Sequence, residues 1–390
     1  MDYTPNNIPD NTNQASGYYP QGESGSYTPA TPSPSQIYNA TAPNNAPQYH
    51  YGAPQNFFNA QYLEEQRQKL LERRKHEKEI RTLGTNTGFT LFLVLGFSYL
   101  MSFVLFSPGL YSLYESNLTF ASAFGIFYSV ISVGLSFFIG ARLFKKSKSL
   151  DKIPFSAPKD KKQAFLLILI GFGGCLVANY ITVFIRFFGE AVGIYSDYTA
   201  LEDPSSTLDV VMIFIGSAIV PPLIEEFALR GVLMHSLRKY GNAFAILTSA
   251  FVFGLFHGNA VQMPFAFLCG LVIGYAVIAT ESLWTGIIIH CLMNAMSAIS
   301  SGLIYYFDEY VSNTFFYVGS GVGIALGIVG LVIYLSRYSF NTPFKGDYMP
   351  NAPSLAGKFA KFNTSPAMII AIILYVLQAV SQLTTTPPAN

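Results

Sequence analysis

Nine blocks of apolar residues constrain this chain more than any other feature of its sequence. Most are long enough to cross the hydrocarbon core of a bilayer, about 30 Å thick, as an α-helix. A backbone in lipid must satisfy its own hydrogen bonds, so such blocks form helices rather than loops. The blocks lie at about 87–107, 120–141, 164–188, 208–237, 242–257, 263–280, 283–304, 314–336 and 367–383. We therefore predict an all-α polytopic membrane helix bundle with about nine transmembrane helices.

The composition agrees with a membrane protein and argues against a soluble domain. Of the 390 residues, 51% are hydrophobic and 12% are charged, whereas a soluble domain carries about 25% charged residues. The three cysteines fall in apolar segments without a Cys-x-x-Cys pair. They are most simply small hydrophobic residues in helix packing. We expect membrane lipid as a partner and no nucleic acid.

The chain divides into three parts by composition. Residues 1–60 are rich in Tyr, Pro, Asn, Gln, Ser and Gly and poor in aliphatic residues, so we predict a disordered tail. Residues 61–83 carry seven basic side chains just before the first apolar block, which indicates a charged cytoplasmic helix near anionic lipid. Residues 84–390 form the predicted transmembrane domain, whose core at about 160–305 contains the ionisable residues discussed below.

The charges of the connecting segments predict the orientation of the chain. The segment 142–162 contains eight Lys or Arg residues, whereas 189–207 contains acidic residues and no Lys or Arg. Because basic loops stay in the cytoplasm, we expect an integral, multi-pass protein with a cytoplasmic N-terminus and an outward C-terminus. The Tyr- and Pro-rich tail and the modest size suggest a bacterial cell membrane.

A few ionisable side chains lie inside the apolar blocks, where each unpaired charge costs about 3 kcal/mol or more. Glu226 and Arg230 are four residues apart with the glutamate first, the favoured order for an ion pair on one helix face. Glu225 points about 100° away from Glu226 around the helix. The sequence therefore predicts a structural ion pair and one free carboxylate.

Helix geometry relates two histidines and an amide to Glu225. Glu225 precedes the basic turn near Tyr240 by about as many residues as His257 follows it, so both are expected at a similar depth. His290 and Asn294 are four residues apart and share a helix face. His290 lies nearer its own turn, so the helices must be broken, tilted or offset for the groups to meet. Pro221-Pro222 could supply such a break because proline lacks a backbone donor.

The three short patterns together resemble the motifs of one family. They are Glu-Glu-x-x-x-Arg at 225–230, Phe-x-x-x-His at 253–257 and His-x-x-x-Asn at 290–294. In this order they resemble the CPBP family of CAAX proteases and bacteriocin-processing enzymes, also called the Abi family, over about residues 160–305. The family includes the eukaryotic prenyl-protein CAAX endopeptidase.

The resemblance implies intramembrane proteolysis of a peptide or membrane protein. Glu225 and His257 would activate water, and His290 and Asn294 would stabilise the oxyanion. Such donors are typically worth about 3–4 kcal/mol each. Nothing in this arrangement needs a serine or cysteine nucleophile. We favour a mechanism without a cofactor; the alternative is a zinc site formed by Glu225, His257 and His290.

Two other functions compete with a protease. Some members of the family are thought to be non-catalytic membrane scaffolds or bacteriocin self-immunity proteins, but every polar motif residue is kept here. A secondary transporter would show an inverted repeat of the motif helices, and we see none. The substrate-binding residues, the substrate and the oligomeric state are left open by the sequence.

Overall fold

The computed structural model describes residues 60–150, 153–196, 203–347 and 349–385, and these ranges form a bundle of helices. The predicted disordered tail lies outside the described residues except for its last residue. We number the helices along the chain: α1 Ala60–Leu105, α2 Pro108–Ser116, α3 Leu118–Lys146, α4 Lys161–Ala191, α5 Thr207–Tyr240, α6 Asn242–Phe256, α7 Gln262–Thr280, α8 Leu283–Tyr306, α9 Glu309–Arg337, α10 Leu355–Asn363 and α11 Pro366–Ser381. The all-α class is confirmed. A two-residue antiparallel pair, β1 Tyr195–Ser196 with β2 Leu383–Thr384, is its one addition among the described residues.

Among the described residues, seven helices are long and apolar enough to cross a membrane, or eight if α10 and α11 are taken as one span bent by 79°. The predicted number of about nine is therefore approximate, one or two above this count. The bent pair of α10 and α11 accounts for one possible difference, and α6, which has 15 residues and rises about 22 Å, less than the hydrocarbon core, accounts for the other. An apolar block of this length is equally compatible with a helix that stops inside the bundle.

The helix α1 joins two segments that the sequence analysis treats separately. It contains the predicted charged helix and the first apolar block without interruption, so the predicted boundary at 83/84 falls inside it. A Cβ atom at Gly84 or Gly88 would collide with the backbone at Phe362 or Ala367. These two glycines therefore let α1 pack directly against α10 and α11.

At one end of the bundle, polar side-chain contacts connect several of the segments that link the helices. Arg238 binds Glu281 through two hydrogen bonds of 2.8 and 2.6 Å, and the Tyr240 hydroxyl donates to Glu79 at 2.6 Å. Asp347 accepts from the backbone N–H of Asn242 at 2.7 Å and caps the start of α6. The predicted basic turn and the charged part of α1 thus share one end, and its cytoplasmic orientation stays a prediction.

The helix α5 is not a regular α-helix. Two wider π-helical segments, Phe214–Ile219 and Phe227–Met234, flank the short α-helical stretch Val220–Glu226 that contains Pro221 and Pro222. An extra residue in a π-turn changes the direction of the side chains that follow it, and such turns are frequent at functional sites. The helix is therefore irregular on both sides of the two prolines, but it continues through them as one span, so the break anticipated from the sequence is not seen there.

Candidate active site

Glu226 and Arg230 form a fully buried ion pair. Nη1 of Arg230 donates to Oε1 of Glu226 at 2.9 Å, and neither side chain is exposed to any degree. The guanidinium lies 4.4 Å from the centroid of the Phe253 ring and reaches the carbonyl oxygen of Gly270 at 3.4 Å. The pair therefore connects α5 with α6 and α7, the arrangement expected of two charges that must neutralise each other away from water.

His290 contacts both glutamates. Its Nδ1 lies 3.0 Å from Oε1 of Glu226, and its Nε2 lies 3.8 Å from Oε2 of Glu225. Glu226 thus holds a histidine as well as an arginine, which the sequence analysis did not predict. The two residues are 64 positions apart, so no local spacing signals their contact.

Glu225 and His257 line one cavity of about 260 Å³. The side chain of Glu225 keeps 16% of its surface exposed, in contrast to its buried neighbour. Nδ1 of His257 lies 2.7 Å from the carbonyl oxygen of Phe253, so Nδ1 is occupied and Nε2 is the nitrogen left to act elsewhere. Glu225 and His290 are both near enough to His257 to interact with it electrostatically.

Asn294 lies apart from the cavity-lining residues. Its Nδ2 donates to the carbonyl oxygen of Ser217 at 2.9 Å, within the first π-helical segment of α5. The amide shares a helix face with His290, as the spacing indicates, but in this structure it ties α8 to α5. Its predicted part in oxyanion stabilisation stays a prediction.

Much of the cavity wall comes from residues outside the predicted core at 160–305. Helix α1 supplies Tyr99, which is 68% exposed and marks a place where the cavity reaches the protein surface. Helix α11 supplies Tyr375 and Gln378. The remaining residues of the wall are Val94, Leu95, Ser98, Ser102, Tyr128, Ser129, Ser132, Val133 and Phe256. Sequence reasoning missed all of these because nothing local in α1, α3 or α11 indicates a site.

The residues present do not form a metal site in their observed arrangement. In both histidines Nδ1 is held by a main-chain or carboxylate oxygen, which is also the outer contact that metal-bound histidines make. Among the described residues, however, no group of three or more His, Cys, Asp or Glu side chains is placed to hold a metal ion. We therefore assign no step to a metal, and the predicted absence of a cofactor stays a prediction.

Comparison with known proteins shows a similarity that includes these residues. The profile of the family described as type II CAAX prenyl endopeptidase Rce1-like matches residues 207–296, which contain all three motifs. A similar protein is "Putative membrane peptidase YdiL" of Bacillus subtilis (strain 168), 26% identical over 141 residues. That match covers 35% of this chain and 56% of the relative, so it spans about half the relative's length. No solved structure matches.

The profile confirms the resemblance that the motif order predicted. It begins at the first residue of α5 and ends in α8, so it covers the ion pair, both histidines and Glu225. Residues 207–296 of this chain are therefore similar to the family described as type II CAAX prenyl endopeptidase Rce1-like.

Proposed function

We propose that the protein is an intramembrane endopeptidase that hydrolyses a peptide bond of a membrane-associated peptide or protein. The observation that supports this most directly is the cavity that Glu225 and His257 line together. Its volume leaves room for several water molecules. The matched family and the similar membrane peptidase point to the same class of reaction.

In the proposed mechanism, Glu225 takes a proton from a water molecule in the cavity, and the resulting hydroxide attacks the carbonyl carbon of the scissile bond. A general base must first lie within reach of the water molecule that it deprotonates, and only then does its pKa matter. Of the two adjacent glutamates, Glu225 is the one that lines the cavity. His257, with Nδ1 directed at the Phe253 carbonyl, uses Nε2 to carry the proton to the leaving amine.

His290 is proposed to support the transition state. Its Nδ1–H donates to Glu226, so its Nε2, which lies on the side of Glu225, can donate to developing negative charge when the ring carries a second proton on Nε2, as an imidazolium. Fixed donors of this kind act without reorganisation at the moment of reaction. The ion pair of Glu226 and Arg230 would then serve the chemistry by holding the His290 ring.

The test follows cleavage by the purified protein in proteoliposomes. One reporter is a farnesylated peptide with a C-terminal Cys-aliphatic-aliphatic-X sequence, chosen because of the family name, and a second is the same peptide without the farnesyl group. We expect Glu225→Gln to reduce cleavage at least 100-fold at an unchanged melting temperature. Glu309→Gln, at an exposed glutamate on α9, is the matched control. Equal cleavage by wild type and Glu225→Gln would refute the assignment of the base.

The same preparation tests the metal. We expect activity to survive prolonged treatment with a chelator, and elemental analysis to find less than one zinc per active protein. Loss of cleavage on chelation, restored by added zinc, would favour the zinc mechanism. Binding of the reporter peptide without cleavage by the wild-type protein would favour the scaffold or immunity function.

A further inference from the structure

The helix α11 forms one wall of the cavity although it lies beyond the matched segment 207–296. Two of its residues, Tyr375 and Gln378, face the same space as Glu225 and His257. Directly after the last residue of α11, Gln382 contacts the loop between α6 and α7. This helix is therefore placed to act on the site from a part of the chain to which neither the profile nor the motifs give a role.

The loop that follows His257 depends on α11 for its hydrogen bonds. Because α6 is too short to span the hydrocarbon core, we expect the loop that follows it to lie within the bundle. Its backbone N–H and C=O groups then need hydrogen-bond partners from the protein. Nε2 of Gln382 donates to the carbonyl oxygen of Gly258 at 3.2 Å, and Nδ2 of Asn259 donates to Oε1 of Gln382 at 2.6 Å. These bonds fix the position of α11 relative to His257.

The carboxamide of Gln378 is held against the residue next to His257. A Cβ atom at Gly258 would lie 2.8 Å from Cδ and 2.9 Å from Oε1 of Gln378. Gly258 also has a φ of +57°, a left-handed conformation that suits glycine. The positive φ favours glycine at this position, and a Cβ atom there would force the end of the Gln378 side chain to move.

The oxygen of this carboxamide has no donor within the described part of the chain. Oε1 of Gln378 is buried and accepts no hydrogen bond from any described residue. A buried acceptor has lost its hydrogen bonds to bulk water and is unfavourable until a donor replaces them. Because Gln378 lines the cavity, the cavity is the space from which a donor can approach this side chain.

We propose that Gln378 is a substrate-binding residue and that α11 forms a peptide subsite of the active site. Oε1 of Gln378 accepts a hydrogen bond from a main-chain N–H next to the scissile bond of an extended peptide. An extended peptide presents such N–H groups along its length, which makes it a suitable ligand for an acceptor without a partner. The inference rests on the proposed function, since it names a binding group for the same site.

The experiment compares Gln378→Met, which keeps the approximate shape but removes the acceptor, with Leu377→Met, a control at the exposed neighbour on α11. Cleavage of the farnesylated reporter peptide gives KM and kcat. Binding of a fluorescent copy of that peptide is measured separately by anisotropy on the inactive Glu225→Gln protein. Ester analogues of the peptide, each replacing one main-chain N–H with oxygen, are measured on the same protein with and without Gln378→Met.

We expect Gln378→Met to raise KM and weaken peptide binding about 5–10-fold, the effect of one lost hydrogen bond, with kcat within threefold of wild type. One ester should weaken binding by a similar factor and have no further effect once Gln378 is replaced. An unchanged KM, a fall in kcat alone, or ester effects independent of Gln378 would each overturn the inference while leaving the protease assignment intact.

The two proposals fail in distinguishable ways. If the wild-type protein cleaves neither reporter but Gln378→Met still weakens peptide binding, the proposed function is wrong and the subsite stands. If the Glu225→Gln protein does not bind the peptide, the subsite is overturned as well. Melting curves of all variants identify any loss of fold. A fall in melting temperature in both Gln378→Met and Leu377→Met would indicate that substitutions disturb α11 itself.

Discussion

Replacement of Arg230 by methionine tests how the charges inside the bundle are tolerated. The substitution removes the 2.9 Å bond to Glu226, the contact with the Gly270 carbonyl and the stacking over Phe253. It leaves the carboxylate of Glu226 in a place without any solvent exposure. The partner that remains to this carboxylate is Nδ1 of His290 at 3.0 Å.

The expected cost follows from this remaining partner. Removal of one member of a buried ion pair typically destabilises a protein by about 3–5 kcal/mol because the other charge stays uncompensated. His290 still donates to Glu226 in the variant, so we expect the lower end, about 3 kcal/mol. At roughly 2–4 °C per kcal/mol, the scale for mid-sized domains, the melting temperature should fall by roughly 6–12 °C.

The chain carries its own reporters for this measurement. Cys175 and Cys269 are free and buried, so a maleimide dye that fluoresces on reaction with thiols follows unfolding in detergent. We expect the double variant Glu226→Gln with Arg230→Met to lose less stability than the two single variants lose together. The reason is that the double variant leaves no unpaired charge of this pair buried. An unchanged melting temperature for Arg230→Met, or strictly additive effects, would contradict the buried-pair argument.

Two further predictions concern packing and pH. Gly286→Ala places a Cβ atom 2.6 Å from the nearest side-chain atom and 3.0 Å from Oε2 of Glu226, so melting should show a loss of about 1–3 kcal/mol. Gly321→Ala, with no atom within 4 Å of its Cβ, should leave the melting temperature unchanged or raise it slightly, because alanine favours a helix over glycine. The hydrogen bonds from Arg238, and then its charge, lower the pKa of Glu281. A carboxylate with a lowered pKa stabilises the fold above its ordinary pKa and loses this effect as the pH falls through the lowered value. The melting difference between wild type and Glu281→Gln should therefore be largest near pH 7 and shrink in acid; a difference that stays constant down to acid pH would contradict the assignment.

Local geometry accounts for what the sequence could predict. The spacing of Glu226 and Arg230 is one turn of a helix, and the ion pair follows from that spacing alone. The placement of Glu225 and His257 at one cavity follows from counting residues on either side of a turn. Both arguments need only the rise and the period of an α-helix. The relations they predict are observed although parts of α5 are π-helical.

Tertiary structure accounts for what the sequence could not predict. The contact between His290 and Glu226 joins residues far apart in the chain, and the approach of Gln378 to Gly258 joins residues farther apart still. Apolarity alone also could not distinguish a spanning helix from α6, which is buried inside the bundle. High hydropathy indicates that a segment is shielded from water, but it does not show whether the segment crosses the whole bilayer.

The two adjacent glutamates show why neighbours in sequence differ in role. A helical step of about 100° separates Glu225 and Glu226, and the bundle is packed on one side of this step and open on the other. On the packed side, Gly286 lets α8 approach Glu226 and α7, and Gly270, which lets α7 approach α6, offers its carbonyl oxygen to Arg230. On the open side, Glu225 meets a cavity with hydroxyl and amide groups in its wall. A water molecule in the cavity can therefore reach the carboxylate of Glu225 but not that of Glu226. If either glutamate activates water, it is Glu225.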